Sequence, residues 1–216
     1  MSPVEPNKAN QHPTAEVGSV GTEEDLARAD LYGLIANLFF QPPDRILLDR
    51  MLASGNAEPS RGDAPLADFW LDLLQIIKES TPEQWRNEYE SSFIGVGKPN
   101  VFLYASYYMA GHLHEKPLLN IRKALADLGL EAAENTAETE DHFAALCEVM
   151  RFLIAGDDVE VSNLTNQKVF FDDHIRPWYD EFCDAIEADP DTHLYKAVAA
   201  LTREFLAIEA QGFDML

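Results

Sequence analysis

Apolar residues recur at every third or fourth position through most of this chain, and this period restricts it to a helical fold. One such stripe consists of Leu26, Leu31, Leu34, Ile35, Leu38 and Phe39. It packs one face of a helix against a core, and the Pro42-Pro43 pair that follows ends the helix. The β-branched residues are scattered and do not alternate with polar ones, so no strand is predicted. No repeat of roughly 20 to 50 residues is present, which argues against a helical solenoid.

Prolines, glycines and capping residues divide the chain into segments of helical length. Residues 1–21, rich in Pro, Asn, Ser and Glu, are predicted to form a disordered tail, and residues 22–216 a single helical domain. Loops are predicted at 54–65, 95–100 and, as a mobile acidic stretch, 131–139. We therefore expect an all-α, single-domain bundle of about nine to ten helices. Their predicted ranges are 22–41, 44–53, 66–79, 81–93, 105–113, 117–128, 140–155, 161–173, 174–188 and 193–210.

The charge balance narrows the classes of partner. The 216 residues include 16 basic and 38 acidic ones, a net charge of −22. Such a surface repels nucleic acid and anionic lipid and attracts a basic partner, although it also serves solubility alone. The longest apolar run, Leu31 to Phe40, is half the length of a membrane span, and no secretory signal is present. A soluble, cytoplasmic protein is expected, with Cys147 and Cys183 as buried, reduced thiols.

Motifs that would indicate catalysis, a cofactor or a metal are missing. The sequence Gly95-Val96-Gly97-Lys98 lacks the earlier glycine and the following Ser or Thr of a phosphate-binding loop. None of the six histidines follows an acidic residue by three positions, so no di-iron pattern is present. His114-Glu115 is not followed by the second histidine of a zinc protease, and no Gly-x-Ser-x-Gly elbow exists. An enzymatic function, a cofactor and a metal are therefore not predicted.

Two features remain as candidates for recognition. Glu140-Asp141-His142 lies where a helix is predicted to begin, and an aromatic segment broken by Gly and Pro runs from Phe93 to Tyr108. The acids either stabilise a helix N-terminus through its dipole or anchor a bound cationic segment. The aromatic residues belong either to the core or to a binding groove. Together they suggest an acidic, aromatic surface that suits a peptide with both apolar and basic parts.

Four motifs, in order, resemble those of the TorD/DmsD family of redox-enzyme maturation chaperones. They are Leu31–Phe39 with Pro42-Pro43, Glu88–Phe93 followed by Leu103-Tyr104-Ala105-Ser106-Tyr107-Tyr108, Glu140-Asp141-His142, and Phe171-x-x-His174-Ile175-x-Pro177-Trp178-x-x-x-Phe182. The resemblance covers about residues 26 to 210. One departure is Leu103, where the family usually has proline.

This resemblance implies a chaperone that binds the twin-arginine signal peptide, or the apo form, of a molybdoenzyme catalytic subunit until its cofactor is inserted. It implies peptide recognition by the aromatic-Ser element and the Asp-His pair. Independently of the resemblance, carboxylates bind arginine bidentately, so Asp141 and Glu140 are the expected arginine partners. The candidate peptide-binding residues are Tyr104, Ser106, Tyr107, Glu140, Asp141 and His142, with Trp85 and Phe102 as further candidates.

Three alternatives remain open from the sequence. The first is a NarJ-type chaperone of a membrane-attached nitrate reductase subunit. The second is a nucleotide-binding or hydrolytic enzyme that uses Asp141 and His142. The third is an acidic interaction protein without a defined groove. A monomer is expected, with a domain-swapped dimer formed by helix exchange at hinges near 95–100 or 131–139.

Overall fold

The chain folds as a helical bundle in the computed structural model, which describes residues 23–54, 61–62, 64–131 and 138–216. The helices are α1 (Glu23–Phe40), α2 (Arg45–Ser54), α3 (Ala67–Glu79), α4 (Pro82–Tyr89), α5 (Ala105–Ala110), α6 (Lys116–Asp127), α7 (Phe143–Ala155), α8 (Leu164–His174), α9 (Tyr179–Ala188) and α10 (Leu194–Asp214). A π-helical turn, Glu90–Ile94, extends α4. The predicted all-α class is confirmed, and no helix in the described ranges is long and apolar enough to cross a membrane. The predicted tail, Thr22 and residues 132–137 lie outside the described ranges.

The core is built around α1, which packs along α7. The Phe39 ring, fully buried on α1, makes edge-to-face contacts with Phe143 at 5.3 Å and Phe182 at 5.2 Å between ring centroids. The stripe predicted for α1 is confirmed in part: Ile35, Leu38 and Phe39 are fully buried, but Leu26 is 45% exposed, and Ala29 and other small residues are buried in addition. Small side chains are buried there because α7 approaches α1 closely, and this contact is not visible in the apolar period.

Three predicted helix starts are wrong, each for a local reason. Helix α8 begins at Leu164 and not at Val161, because the Asn163 side chain caps it. Helix α7 begins at Phe143 and not at Glu140, because the His142 side chain caps it. The predicted helix from His174 begins only at Tyr179. Pro177 disfavours the helical conformation for the residue before it, so the chain makes a turn between α8 and α9.

The N-terminus of α10 is capped by a side chain from a distant helix. The sequence favours Asp191-Thr192 as the cap, but the Glu88 carboxylate on α4 accepts the backbone N–H groups of His193, Leu194 and Tyr195 at 2.8, 3.0 and 2.7 Å. Three otherwise unpaired donors of the first turn are thereby satisfied. This contact joins α4, which leads into the 95–104 segment, to the longest described helix.

Candidate functional site

The two motifs singled out in the sequence lie side by side. Tyr104 and His142 form an isolated antiparallel bridge, in which Phe143 N donates to Leu103 O at 2.7 Å and Ala105 N to Asp141 O at 2.9 Å. This pairing positions the segment that enters α5 against the segment that enters α7. The sequence predicted both motifs as parts of one site, and the structure places them in direct contact.

Asp141 holds these two segments together from the inside. Its carboxylate is fully buried and accepts hydrogen bonds from Ser106 N at 3.1 Å, from Ser106 Oγ, and from Thr139 Oγ1 at 2.5 Å. Ser106 is also fully buried, and its hydroxyl oxygen accepts the His114 N–H at 3.2 Å. Asp141 and Ser106 therefore have no surface to offer a peptide, and we no longer assign them direct contact with one.

His142 lies at the inner edge of the site. The residue is 3% exposed, its Nδ1 accepts the Ala144 N–H at 3.1 Å, and its ring meets Tyr104 edge to face at 5.2 Å. Burial lowers the pKa of the imidazole to about 4, although the carboxylates of Glu138 and Asp141 act in the opposite direction. The ring is therefore neutral at neutral pH and presents an uncharged face to its surroundings.

The three remaining aromatic candidates lie elsewhere. Trp85 is fully buried, and its Nε1 donates to Ser80 Oγ at 2.8 Å. Phe102 and Tyr107 are half-buried and stack on each other with centroids 4.1 Å apart. From Tyr107 the ring contacts continue through Tyr108 toward α9. None of the three lines the cavity beside His142 that is described next, so the predicted peptide-binding residues do not form a single site.

A cavity of about 450 Å³ opens beside His142 between α1, α6, α7 and the 138–142 segment, and we call it the α1–α7 groove. Its apolar floor consists of Ala36, Phe40, Leu125, Leu130, Ala144, Ala145, Val149 and Phe152. Phe40 is 51% exposed and Phe152 is 41% exposed. Neither phenylalanine is among the peptide-binding residues predicted from the sequence. One feature of the sequence does point to them: Phe40 follows Phe39, and Phe152 precedes Leu153. Two adjacent residues of a helix point in different directions, so only one large apolar residue of each pair can face the core.

Four carboxylates also line the groove, and we call them the acidic rim: Glu131, Glu138, Glu140 and Glu148. No lysine or arginine is among the described residues that line the groove. Glu138 accepts a hydrogen bond from the Tyr104 hydroxyl, and burial together with this carboxylate raises the Tyr104 pKa. Of the predicted residues, His142 and Glu140 line the groove, and Tyr104 contacts its rim.

A second cleft, of about 760 Å³, lies between α6, α8 and the loop before α8. It contains none of the predicted site residues, and its lysine, Lys123, forms an ion pair with Asp127 at 2.5 Å. Among the residues that the structure describes, no group of three or more His, Cys, Asp or Glu side chains is arranged to hold a metal ion. The α1–α7 groove is therefore the stronger candidate for recognition.

Comparison with known proteins points to one family. The family model for the nitrate reductase delta subunit matches residues 60–184. The Chaperone protein TorD of Vibrio parahaemolyticus is 22% identical over 200 residues, covering 85% of this chain and 93% of the relative. The Chaperone protein TorD of Vibrio cholerae is 28% identical over 204 residues, covering 88% of this chain and 93% of the relative. The fold is similar, at a TM-score of 0.57 and 21% identity, to a solved redox enzyme maturation protein from Archaeoglobus fulgidus, with 89% of this chain and 98% of that one covered.

Proposed function

Because this chain belongs to the nitrate reductase delta subunit family, which includes the TorD/DmsD- and NarJ-type chaperones, we propose that it binds the twin-arginine signal peptide of a redox-enzyme precursor. The TorD/DmsD resemblance found in the sequence is confirmed. The family consists of chaperones and not of catalysts. This agrees with the geometry, in which Asp141 is bonded internally and His142 caps a helix. The hydrolytic alternative is therefore set aside.

The proposal rests on one observation, which is that apolar side chains and four carboxylates line the same groove. A twin-arginine signal peptide joins two guanidinium groups to an apolar stretch, so it needs both surfaces next to each other. The groove has a volume of about 450 Å³, in the range of small-ligand pockets, so it would hold a few side chains of the peptide, and its rim carries four carboxylates. Carboxylates bind arginine through two parallel hydrogen bonds, a geometry that lysine does not reproduce. Exposed Phe40 and Phe152 supply the apolar contact.

The charge of the whole chain supports the same partner. A net charge of −22 accelerates the approach of a cationic peptide, and salt weakens this attraction by screening. In this proposal the protein acts in the cytoplasm, before export, and holds a molybdoenzyme precursor while its cofactor is inserted. The chaperone needs no cofactor or metal of its own for this task. A monomer is sufficient, because the groove is formed within one chain.

The test is the affinity of the full chain for a fluorescent twin-arginine peptide, measured by anisotropy at low and moderate salt. Glu140→Gln should weaken binding by about fivefold to tenfold, because it removes one charge-assisted contact. Phe152→Ala should weaken binding by about threefold through lost apolar contact.

The matched control is Glu187→Gln, which changes an exposed acid that is paired with Arg203 at 3.3 Å and does not line the groove. This variant should bind as the wild type does. A peptide with Lys-Lys in place of Arg-Arg should bind more weakly than the original. If Glu140→Gln and Phe152→Ala also leave the affinity unchanged, the groove is not the peptide site.

The family match itself favours a second candidate function. Its model describes the nitrate reductase delta subunit, so a NarJ-type chaperone of a nitrate reductase subunit fits the same fold. The two functions differ in the client. Identification of the precursor that co-purifies with the chain separates them: a client with a twin-arginine leader supports the first, and a nitrate reductase subunit without one supports the second.

A further inference from the structure

Two carboxylates of the acidic rim are already paired with arginines of the chain itself. Arg122 on α6 donates from Nε to Glu140 Oε2 at 2.9 Å. Arg151 on α7 donates from Nη1 to Glu148 Oε2 at 3.2 Å. Neither arginine lines the groove floor, so each approaches its carboxylate from outside.

The Arg151 side chain lies against a glycine of α1. Gly33 on α1 has no side chain, and a Cβ placed there would lie 3.0 Å from Arg151 Cδ and 3.2 Å from Arg151 Nε. The glycine therefore leaves room for the arginine side chain to cross α1. The two arginines are accessible to solvent, since the Arg122 and Arg151 side chains are 49% and 50% exposed. Of their partners, Glu148 is 48% exposed and Glu140 is 19% exposed.

Building on the proposed function of the groove, we propose that Arg122 and Arg151 are displaceable substitutes for the arginine pair of the signal peptide. They neutralise Glu140 and Glu148 while the groove is empty, and they release these carboxylates when the peptide arginines arrive. Ion pairs with a solvent-exposed arginine are suited to such an exchange, because solvent screening weakens them. Screening is stronger for the Arg151–Glu148 pair than for the Arg122–Glu140 pair, whose carboxylate is partly buried. In each exchange one guanidinium replaces another, so part of the electrostatic gain of binding is offset by the pairs that are broken.

This exchange predicts that removal of either internal arginine strengthens binding of the twin-arginine peptide. Arg122→Gln and Arg151→Gln should each raise the affinity by roughly twofold to fivefold, the strength of an exposed ion pair, and the double variant should combine the two gains.

Lys123→Gln is the matched control, because it removes the same charge from the neighbouring position on α6, where Lys123 pairs with Asp127 outside the groove. It should raise the affinity by less than about 1.5-fold, because the loss of one distant positive charge only slightly increases the long-range attraction between the chain and the cationic peptide.

A second measurement reports the exchange directly. In a protein labelled with ¹⁵N in its arginine side chains, the Nε–H resonance of Arg122, assigned through Arg122→Gln, should move toward the position of a free guanidinium as unlabelled peptide is added. Arg203, which pairs with Asp184 at 2.7 Å away from the groove, should not move.

The outcomes distinguish this inference from the function on which it rests. If Glu140→Gln weakens peptide binding but Arg122→Gln matches Lys123→Gln and the Arg122 resonance stays in place, the exchange is refuted and the groove remains the peptide site. If the wild-type chain does not bind the peptide, the proposed function and the exchange fail together.

Discussion

Replacement of Asp141 separates a structural role from direct contact with the peptide. Asp141→Ala removes the acceptor of hydrogen bonds from Ser106 N, Ser106 Oγ and Thr139 Oγ1 at a fully buried position. A hydrogen bond to a charged group contributes about 1.5–3 kcal/mol, and each donor left unpaired in the interior costs about 1–3 kcal/mol. Because alanine also removes the desolvation cost of the carboxylate, we expect a net loss of about 3 kcal/mol from the free energy of unfolding.

Ser106→Ala provides the second arm of a double-mutant cycle. It removes only the hydroxyl, which donates to Asp141 and accepts from His114 N, so it should cost about 1–2 kcal/mol. Because both changes break the same contact, the double variant should cost less than the sum, with a coupling energy of about 1–2 kcal/mol. Urea unfolding followed by far-UV circular dichroism gives these values, and Asp157→Ala, an exposed loop change, should lie within about 0.5 kcal/mol of the wild type.

Two results would refute this reasoning. A loss below about 1 kcal/mol for Asp141→Ala, or strict additivity with Ser106→Ala, would mean that the buried contact does not hold the segments together. Peptide affinity supplies the other test. If Asp141 bound an arginine itself, Asp141→Ala would abolish binding and Ser106→Ala would spare it. Under the structural role, both variants weaken binding together as the 138–142 segment loosens.

Three further predictions concern buried polar groups. Glu88→Ala should lower the free energy of unfolding by about 3 kcal/mol in urea, because three N–H groups of α10 lose their cap. Arg28→Met should cost about 3 kcal/mol by leaving Glu209 without its bidentate partner at 2.7 and 2.8 Å, and adding Glu209→Gln should recover part of that loss in the same assay, because it removes the buried charge and keeps an acceptor for the Tyr32 hydroxyl. The folded-state pKa of His142 is about 4, below the unfolded value of 6.5, so the stability it provides is complete above pH 6.5 and is lost as pH falls toward 4. Between pH 7 and about pH 4.5 the wild type should lose roughly 2–3 kcal/mol more than His142→Asn, which keeps a capping side chain without titrating in this range.

Local patterns in the sequence were sufficient for the fold class and for most helix boundaries. The apolar period placed α3 and α6 to within one residue of their observed starts, at Ala67 and Lys116. Proline and glycine act on the backbone at their own positions, so the ends after Phe40 and near Gly129 were also readable. At Phe143 the same patterns failed by three residues, because the cap is the His142 side chain and not one of the residue types that usually cap a helix.

The site illustrates the division between what the sequence determined and what required the tertiary structure. The sequence identified Glu140-Asp141-His142 and the Tyr104 segment as related features, through residue types and order alone. It did not determine which of these acids faces the groove, because Ser106, the partner that fixes Asp141 in the interior, lies 35 residues away. The apolar period also could not show whether Phe152 or Leu153 faces the core, since both are apolar. The packing of α7 against α1 buries Leu153 and leaves Phe152 exposed. Helical period is a property of neighbouring residues, whereas a groove is formed by the spaces that remain when distant helices pack.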